Sequence, residues 1–278
     1  MEEKGTSKSN ALRLSGAAPK GVYSFLDHRG NLHGDGKHTI FPIVKQVEGG
    51  DIQLIGTGFF IAGNGVFATA KHVLFDVLND NGQQTFPIGI FHFLPDDQFI
   101  IRPVLRCSHN TIADVAIGVA APATHNETGE FLSNPTLILT TDVPAVGDLV
   151  TTYAYPNTKI ERVGEKQVLH FIPDFYEGRL EEMHLDGRDA SMLPGPCYRT
   201  SIFMHGGASG GPVVDQRGRV FGINSTGFHG MDVSYVSRVN ELFPLSLDVE
   251  ESGTVRTLSI PEIANRGWIT FDPPLDES

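Results

Sequence analysis

The chain has 278 residues, 40% of them hydrophobic, and a formal net charge of −12. This length allows one or two domains, and a single all-β domain can reach it. The acidic balance argues against an extended nucleic-acid surface, which needs a basic stripe. No run of about 18 apolar residues is present, so we expect no transmembrane helix and no membrane partner.

The N-terminal sequence and the number of cysteines indicate the cellular compartment of the protein. Residues 1–20 are polar and carry no apolar core of signal-peptide length, and we predict that they are disordered. A propeptide is the functional alternative for this segment. Cys107 and Cys197 are the two cysteines; we interpret them as buried apolar thiols, although the sequence leaves a disulfide open. So few cysteines indicate a reducing compartment, and we expect a cytoplasmic protein.

Residues 21–37 are a glycine-rich turn cluster that also contains histidines. His28 and His33 within it, and His38 directly after it, raise the question of a metal site. No cysteine or paired carboxylate accompanies them at ligand spacing, so we predict no metal and no cofactor.

Residues 38 to about 124 alternate short strand-like runs with turns. The runs are rich in β-branched and aromatic residues and show almost no helical periodicity. The pairs Gly49-Gly50 and Asn64-Gly65 are hairpin signals. About six strands are expected: TIFPIVKQV, DIQLIGTGFFIA, GVFATAKHVLF, TFPIGIFHFLP, QFIIRPVLRCS and DVAIGVA. This pattern is typical of one closed barrel.

A second series of strands follows a polar linker at residues 125–135. From about 136 to 240 we again expect about six strands, within TLILTT, GDLVTTYAYP, KQVLHFIPDFYEGRLEEMHL, CYRTSIFMH, GPVVD, GRVFGINST and VSYVSRV. The predicted fold is therefore all-β, with two six-stranded antiparallel β-barrels side by side. The long charged segment 155–196 is either a hairpin that reaches toward the cleft between the barrels or a surface excursion.

The pattern changes near the end of the chain. We assign residues 21–247 to one domain and 248–278 to a C-terminal extension with a short helix. The helix is predicted in IPEIANRG, with Pro261 at its first position and Gly267 as its stop. A last strand is expected at 268–271.

The stretch GGASGGPVV, residues 206–214, has the composition of a nucleophile turn. Small residues on both sides leave the Ser209 hydroxyl unobstructed, and the glycines allow a tight turn whose N–H groups point at one spot. Serine needs a base and an orienting acid to become a nucleophile. His72 ends the run VFATAKH and Asp114 opens DVAIGVA, which gives the order His, Asp, Ser. Asp96 and Asp97 compete with Asp114 for the acid role.

These segments resemble the trypsin-like serine peptidases of chymotrypsin fold, and within them the bacterial, disulfide-free, HtrA-like branch. The resemblance covers GTGFFIAGNGVFATAKHV, ADVAI, HGGASGGPVVD and GRVFGINSTG. It implies a site in the cleft between the barrels, with Ser209 as nucleophile, His72 as general base and Asp114 as its orienting partner. The N–H groups of Gly207 and Ser209 would form the oxyanion hole. Too few residues follow the domain for the PDZ module that HtrA-type proteins often carry.

The resemblance also implies a substrate-binding strand. Ser225 would lie beside the Asp–His pair, and the Ser225–Gly227 backbone would bind the peptide as an added antiparallel strand. Phe203 falls at the pocket floor, where it would favour an apolar or small residue before the cut. Phe203 is alternatively a core residue, and His205 and Asn224 alternatively line a polar pocket.

Regulation is suggested by a departure from the trypsin pattern. Trypsins carry an aspartate before the serine that pairs with a freed N-terminus, and this chain has Ala208 there. We therefore expect control by loop ordering, by an activating or regulatory protein, or by a neighbouring domain. Lys71, before the histidine, also departs from the trypsin pattern.

The predicted function is that of a serine endopeptidase acting on protein or peptide substrates through an acyl-enzyme. Because the base must be a neutral imidazole, activity should fall as the pH drops through roughly 6 to 7. The alternative is a catalytically silent binding module of the same fold. The G-x-S-x-G elbow of α/β-hydrolases fits poorly, because it needs a helix after the serine and its Asp and His downstream.

Overall fold

The structure is a computed structural model that describes residues 25–33, 35–75, 87–94, 98–124, 129–156, 158–164, 166–190, 193–204, 206–227, 233–251 and 254–275. The predicted disorder of residues 1–20, the competing acids Asp96 and Asp97, and the predicted pocket residue His205 lie outside this described part. Within it, no helix is long and apolar enough to cross a membrane.

The first barrel follows a two-stranded ladder, β1 (Phe25–Leu26) and β2 (Leu32–His33). Its strands are β3 (Ile40–Gln46), β4 (Ile52–Phe60), β5 (Val66–Thr69), β6 (Ile88–Phe93), β7 (Phe99–His109) and β8 (Ala116–Ala120). They close in the order β3-β4-β5-β8-β7-β6, and every pair is antiparallel. Alternating residues fill the interior, with Phe41, Phe60 and Phe67 fully buried.

The second barrel uses β9 (Leu149–Ala154), β12 (Asp174–His184), β13 (Cys197–Thr200), β14 (Pro212–Val214), β15 (Val220–Gly227) and β16 (Ser234–Arg238). These strands close in the order β12-β13-β16-β15-β14-β9. The prediction of an all-β fold with two six-stranded antiparallel barrels is confirmed. The run TLILTT is not one of the barrel strands; within it, Leu137 and Leu139 form only isolated bridges.

The two barrels meet along a seam of aromatic residues that includes Tyr153 in β9 and Tyr155 just after it. The Tyr155 hydroxyl donates to the Ile40 carbonyl oxygen at 2.8 Å, and the Tyr153 hydroxyl donates to Asp35 Oδ1 at 3.0 Å. Both rings lie in a buried cluster with Phe25 and Phe175. This apolar packing with satisfied hydroxyls holds one barrel against the other.

A hairpin outside the barrels, β10 (Lys159–Val163) and β11 (Lys166–His170), extends from the second barrel to the first. The Gln167 side chain accepts from the Ile52 N–H and donates to the Ile52 carbonyl oxygen, both at 2.8 Å. Arg162 pairs with Asp51 beside it. The charged segment after residue 155 therefore contains a hairpin that contacts the start of β4.

The chain ends in a hairpin, β17 (Ser246–Glu251) and β18 (Thr254–Ser259), and a helix. One turn of helix, α1 (Lys71–Phe75), occurs earlier in the chain, and α2 spans Ile260–Asn265. Ser259 and Glu262 form a capping box at the start of α2, so Pro261 is its second residue. Beyond α2, Ile269 bridges to Ala62 and Phe271 to Leu139. The last segment thus packs back against the rest of the protein.

The two cysteines are both free. Cys197 is buried, but Cys107 is exposed. The interpretation of both as buried thiols was therefore wrong for Cys107, which lies on the outward-facing side of β7.

A buried arginine in the first barrel predicts a pH-dependent stability. Arg102 is 3% exposed, and its Nη1 lies 3.1 Å from His92 Nδ1. Guanidinium only donates, so His92 must accept and stay neutral. Burial, together with the Arg102 charge, lowers the pKa of His92 from 6.5 to about 4. Between pH 4 and pH 6.5 the unfolded chain therefore binds a proton at His92 that the folded chain does not bind. The free energy of unfolding should fall by about 3 kcal/mol as the pH drops from 6.5 to 4.

Urea denaturation at pH 7, 5.5 and 4.5 measures this loss. His92→Gln, which keeps a neutral hydrogen-bonding group, should show a smaller decline than the wild-type protein. Equal declines in the two proteins would contradict the assignment to His92.

Candidate active site

The predicted histidine and aspartate lie side by side at the rim of the first barrel. β5 ends at Thr69, and the chain turns into α1, where a continued strand was predicted through His72. His72 Nδ1 donates to Asp114 Oδ2 at 2.8 Å, and the His72 backbone N–H donates to Asp114 Oδ1 at 3.0 Å. Asp114 therefore satisfies a free N–H of the first turn of α1 and orients the imidazole ring at the same time.

The environment of Asp114 keeps its carboxylate ionised. Burial raises the pKa of this group, but hydrogen bonds from His72 and Ser225 outweigh burial, and the net pKa lies below the ordinary aspartate value. The Ser225 hydroxyl donates to Asp114 Oδ2. Because Nδ1 carries the proton shared with Asp114, Nε2 is the imidazole nitrogen that can accept one.

Ser209 is connected to the same group of residues through Ser225. The Ser209 hydroxyl donates to the Ser225 carbonyl oxygen at 3.0 Å. Ser225, which is 1% exposed in β15, thus contacts Asp114 through its side chain and Ser209 through its backbone. The structure brings the three predicted residues to the seam, with His72 and Asp114 from the first barrel and Ser209 from the second.

The serine loop, residues 206–211, owes its shape to glycines. Gly207 and Gly210 have φ angles of 91° and 86°, in the region that favours glycine. The Gly210 N–H donates to the Asn224 carbonyl oxygen at 2.8 Å, and the Asn224 N–H donates to the Gly211 carbonyl oxygen at 2.9 Å. These bonds fasten the loop to β15 and turn it tightly around Ser209.

Asn224 does not lie on the surface of a pocket. It is fully buried, and its Nδ2 donates to Thr152 Oγ1 at 2.6 Å and to the Ala208 carbonyl oxygen at 3.4 Å. Asn224 therefore supports the serine loop from below through a hydrogen bond and does not line a pocket. Its side chain faces the inside of the second barrel because its neighbour Ser225 faces the seam.

The structure also describes the predicted binding residues Phe203, Ser225 and Gly227. Phe203 is 41% exposed, which argues against the alternative that it is a core residue. Ser225 and Thr226 occupy a register shift between β15 and β16, just before Gly227 at the end of β15. Such an irregularity changes the direction of the backbone next to the site. Among the described residues, no group of three or more His, Cys, Asp or Glu side chains forms a metal-ligand cluster.

Thr57 is a site residue that sequence reasoning did not single out. It lies in β4 and is fully buried against the serine loop. Its N–H donates to the Ser209 carbonyl oxygen at 2.8 Å, and its hydroxyl donates to the Gly207 carbonyl oxygen at 2.7 Å. The two glycines that flank Thr57 in GTGFF were the only feature of the sequence that could have pointed to this residue.

Comparisons with known proteins identify the family and the fold. The model of the trypsin-like peptidase domain matches residues 56–223, more than half of the chain. The crystal structure of Deg5 is similar in fold, with a TM-score of 0.53, 16% sequence identity, and coverage of 76% of this chain and 88% of that chain.

The active form of the Rv3671c protease from M. tuberculosis has a TM-score of 0.50 and 20% identity, with coverage of 74% of this chain and 78% of that chain. No curated protein matches the chain significantly. The domain match and the fold together show that the chain belongs to the trypsin-like peptidase family, as its motifs predicted.

Proposed function

We propose that this protein is a serine endopeptidase that cleaves peptide bonds through an acyl-enzyme on Ser209. One observation carries the proposal: Ser225 connects all three predicted catalytic residues, through its hydroxyl to the Asp114–His72 pair and through its carbonyl to Ser209. A base, its orienting acid and a serine in one network are the components that nucleophilic acyl transfer requires.

The chemistry follows from the contacts of each group. Ser209 Oγ attacks the substrate carbonyl carbon while His72 Nε2 takes its proton, and Asp114 stabilises the resulting imidazolium. The N–H groups of Gly207 and Ser209 stabilise the oxyanion. His72 then gives the proton to the leaving amine, which leaves an ester on Ser209. Water, deprotonated by His72, attacks that ester, and His72 then returns the proton to Ser209 Oγ as the acid product leaves.

The direction of the Ser209 hydroxyl supports regulated activity. It donates to the Ser225 carbonyl oxygen, so it has to rotate toward His72 before attack. Together with Ala208 in place of an aspartate that could pair with a freed N-terminus, this favours control by a partner protein or by substrate binding. We propose a narrow choice of protein substrates in the cytoplasm, with an apolar or small residue before the cut, because Phe203 is apolar and accessible.

A fluorophosphonate probe tests the proposal directly, because it phosphonylates only an activated serine. We expect stoichiometric labelling, located on the peptide that contains Ser209 by mass spectrometry, and no labelling of the urea-unfolded protein. Labelling should be slower below pH 6 because His72 must be neutral. A folded protein that stays unlabelled, also in the presence of peptide substrates and at neutral pH, would favour the catalytically silent binding module instead.

Cleavage of a peptide library then defines the substrate class. We expect a preference for apolar or small residues before the scissile bond. Cleavage after lysine or arginine would contradict the role assigned to Phe203, while leaving the endopeptidase assignment intact.

A further inference from the structure

The contact between Thr57 and the serine loop crosses the seam between the barrels. Thr57 belongs to β4 of the first barrel, whereas Gly207 and Ser209 precede β14 of the second. The Thr57 N–H donates to the Ser209 carbonyl oxygen at 2.8 Å, and Thr57 Oγ1 donates to the Gly207 carbonyl oxygen at 2.7 Å. One fully buried residue therefore holds two carbonyl groups of the loop.

The direction of the hydroxyl proton is determined by its neighbours. The Tyr155 N–H points at Thr57 Oγ1 from 3.4 Å, and a backbone N–H can only donate. Oγ1 is the acceptor in that contact, so its single proton goes to the Gly207 carbonyl oxygen. The hydroxyl thus links Tyr155, just after β9, to the serine loop in a defined donor–acceptor order.

The two carbonyl groups held by Thr57 alternate with the two proposed oxyanion donors. The Gly207 N–H belongs to the peptide unit 206–207, and the Ser209 N–H belongs to the unit 208–209. The Thr57 hydroxyl holds the unit between them, 207–208, and the Thr57 N–H holds the next unit, 209–210. Fixing these units limits the rotation of both donor units.

Gly207 is the position where this restraint matters most. Its φ of 91° is open to glycine but strained for other residues, and glycine rotates its flanking peptides at little cost. A Cβ at Gly207 would lie 2.9 Å from Leu54 Cδ2 and 3.0 Å from the Tyr155 carbonyl oxygen, so a stiffer residue does not fit. The peptide units on either side of Gly207 therefore depend on hydrogen bonds from outside the loop to keep one conformation.

We propose that Thr57 is a positioning residue for the oxyanion hole, which its hydroxyl keeps preformed by holding the Gly207 carbonyl group. The inference rests on the proposed peptidase function and deepens it. Thr57 acts through the loop and does not touch the reacting atoms. Without its hydroxyl, the Gly207–Ala208 peptide loses a buried donor and turns, which carries the neighbouring N–H groups away from the oxyanion.

The test compares three variants. Thr57→Val keeps the shape and removes the hydroxyl, Thr57→Ser restores it, and Thr140→Val removes a buried hydroxyl that accepts from the Asp142 N–H. Removing an oxyanion donor outright costs about 10²- to 10³-fold in kcat, so Thr57→Val should lose about 10- to 100-fold with KM changed less than about threefold. Thr57→Ser and Thr140→Val should stay within about threefold of wild type.

Two readouts separate positioning from general damage. A peptide boronic acid forms a tetrahedral adduct on Ser209 with an oxygen in the oxyanion hole, so its Kd should rise in Thr57→Val by the same factor as kcat falls. The lower pKa of the pH–rate profile should stay at its wild-type value, because Thr57 does not contact His72. If Thr57→Val fails to fold, Thr57→Cys, whose thiol is a weak donor, should show an intermediate loss.

The outcomes distinguish this inference from the proposed function. Wild-type labelling by fluorophosphonate with unchanged kcat and boronate affinity in Thr57→Val would overturn the role of Thr57 and leave the peptidase standing. Equal loss in Thr57→Val and Thr57→Ser would also overturn it, because the hydroxyl would not be the cause. A wild-type protein that reacts with neither the fluorophosphonate nor the boronic acid would contradict both the proposed peptidase function and the role of Thr57.

Discussion

Ser209→Ala and His72→Ala are each expected to lower kcat on a peptide substrate by about 10⁶-fold. Ser209 supplies the nucleophilic oxygen, and His72, oriented by its hydrogen bond to Asp114, can both accept and return a proton. Because the residues act as a unit, the double variant should lose no more than either single variant. Initial rates on a fluorogenic peptide, with active sites counted by titration, measure the loss.

Asp114→Asn should lose less than either, about 10⁴-fold in kcat. The asparagine amide would donate to His72 Nδ1 and force the ring proton onto Nε2, where it blocks proton transfer from Ser209. Melting temperature and secondary structure should stay near wild type, because the side chain keeps its size. Retention of more than about a tenth of the wild-type rate would show that another group orients His72.

Gly210→Ala is expected to lower the free energy of unfolding by about 4 kcal/mol, the largest stability effect that we predict for a single methyl group. A Cβ at this position would lie 2.1 Å from Thr69 Oγ1 and 2.2 Å from the Thr57 carbonyl oxygen. The φ of 86° adds backbone strain. Neither the hydroxyl of a buried threonine nor a strand carbonyl can move aside cheaply.

Gly206→Ala is the matched control in the same loop. Among the described residues, apart from its chain neighbours, no heavy atom lies within 4 Å of where a Cβ at Gly206 would be, so its effect should stay within about 0.5 kcal/mol. Urea denaturation of both variants at pH 7 measures the difference. Equal stability of Gly210→Ala and the wild-type protein would mean that the loop does not pack tightly against β4 and β5 at Gly210.

The fold class and the candidate catalytic residues could be predicted because each depends on short stretches of the sequence. Runs of β-branched and aromatic residues between turn residues identify strands without knowledge of their partners. The small residues around Ser209, the run before His72 and the strand after Asp114 are similarly contained in short stretches. Their order along the chain, His, Asp, Ser, is that of the chymotrypsin arrangement. The family could therefore be predicted before any distance was known.

The contacts across the seam could not be predicted in this way. The glycines that flank Thr57 do not reveal what its side chain contacts, and Asn224 was expected to line a pocket. Their hydrogen bonds join residues more than ten positions apart, 150 positions in the case of Thr57 and Gly207. Leu137 and Leu139 lie in a run that has the composition of a strand, yet the two barrels close without it.

The sequence by itself therefore determined the fold class, the family and the three residues proposed for catalysis. Only the tertiary structure decided how those residues are held: the contacts of Ser225, the two hydrogen bonds from Thr57 and the burial of Asn224. The physical reason is that chemical identity belongs to single side chains, whereas the direction of a peptide N–H depends on which distant atoms the folded barrels bring within hydrogen-bond distance.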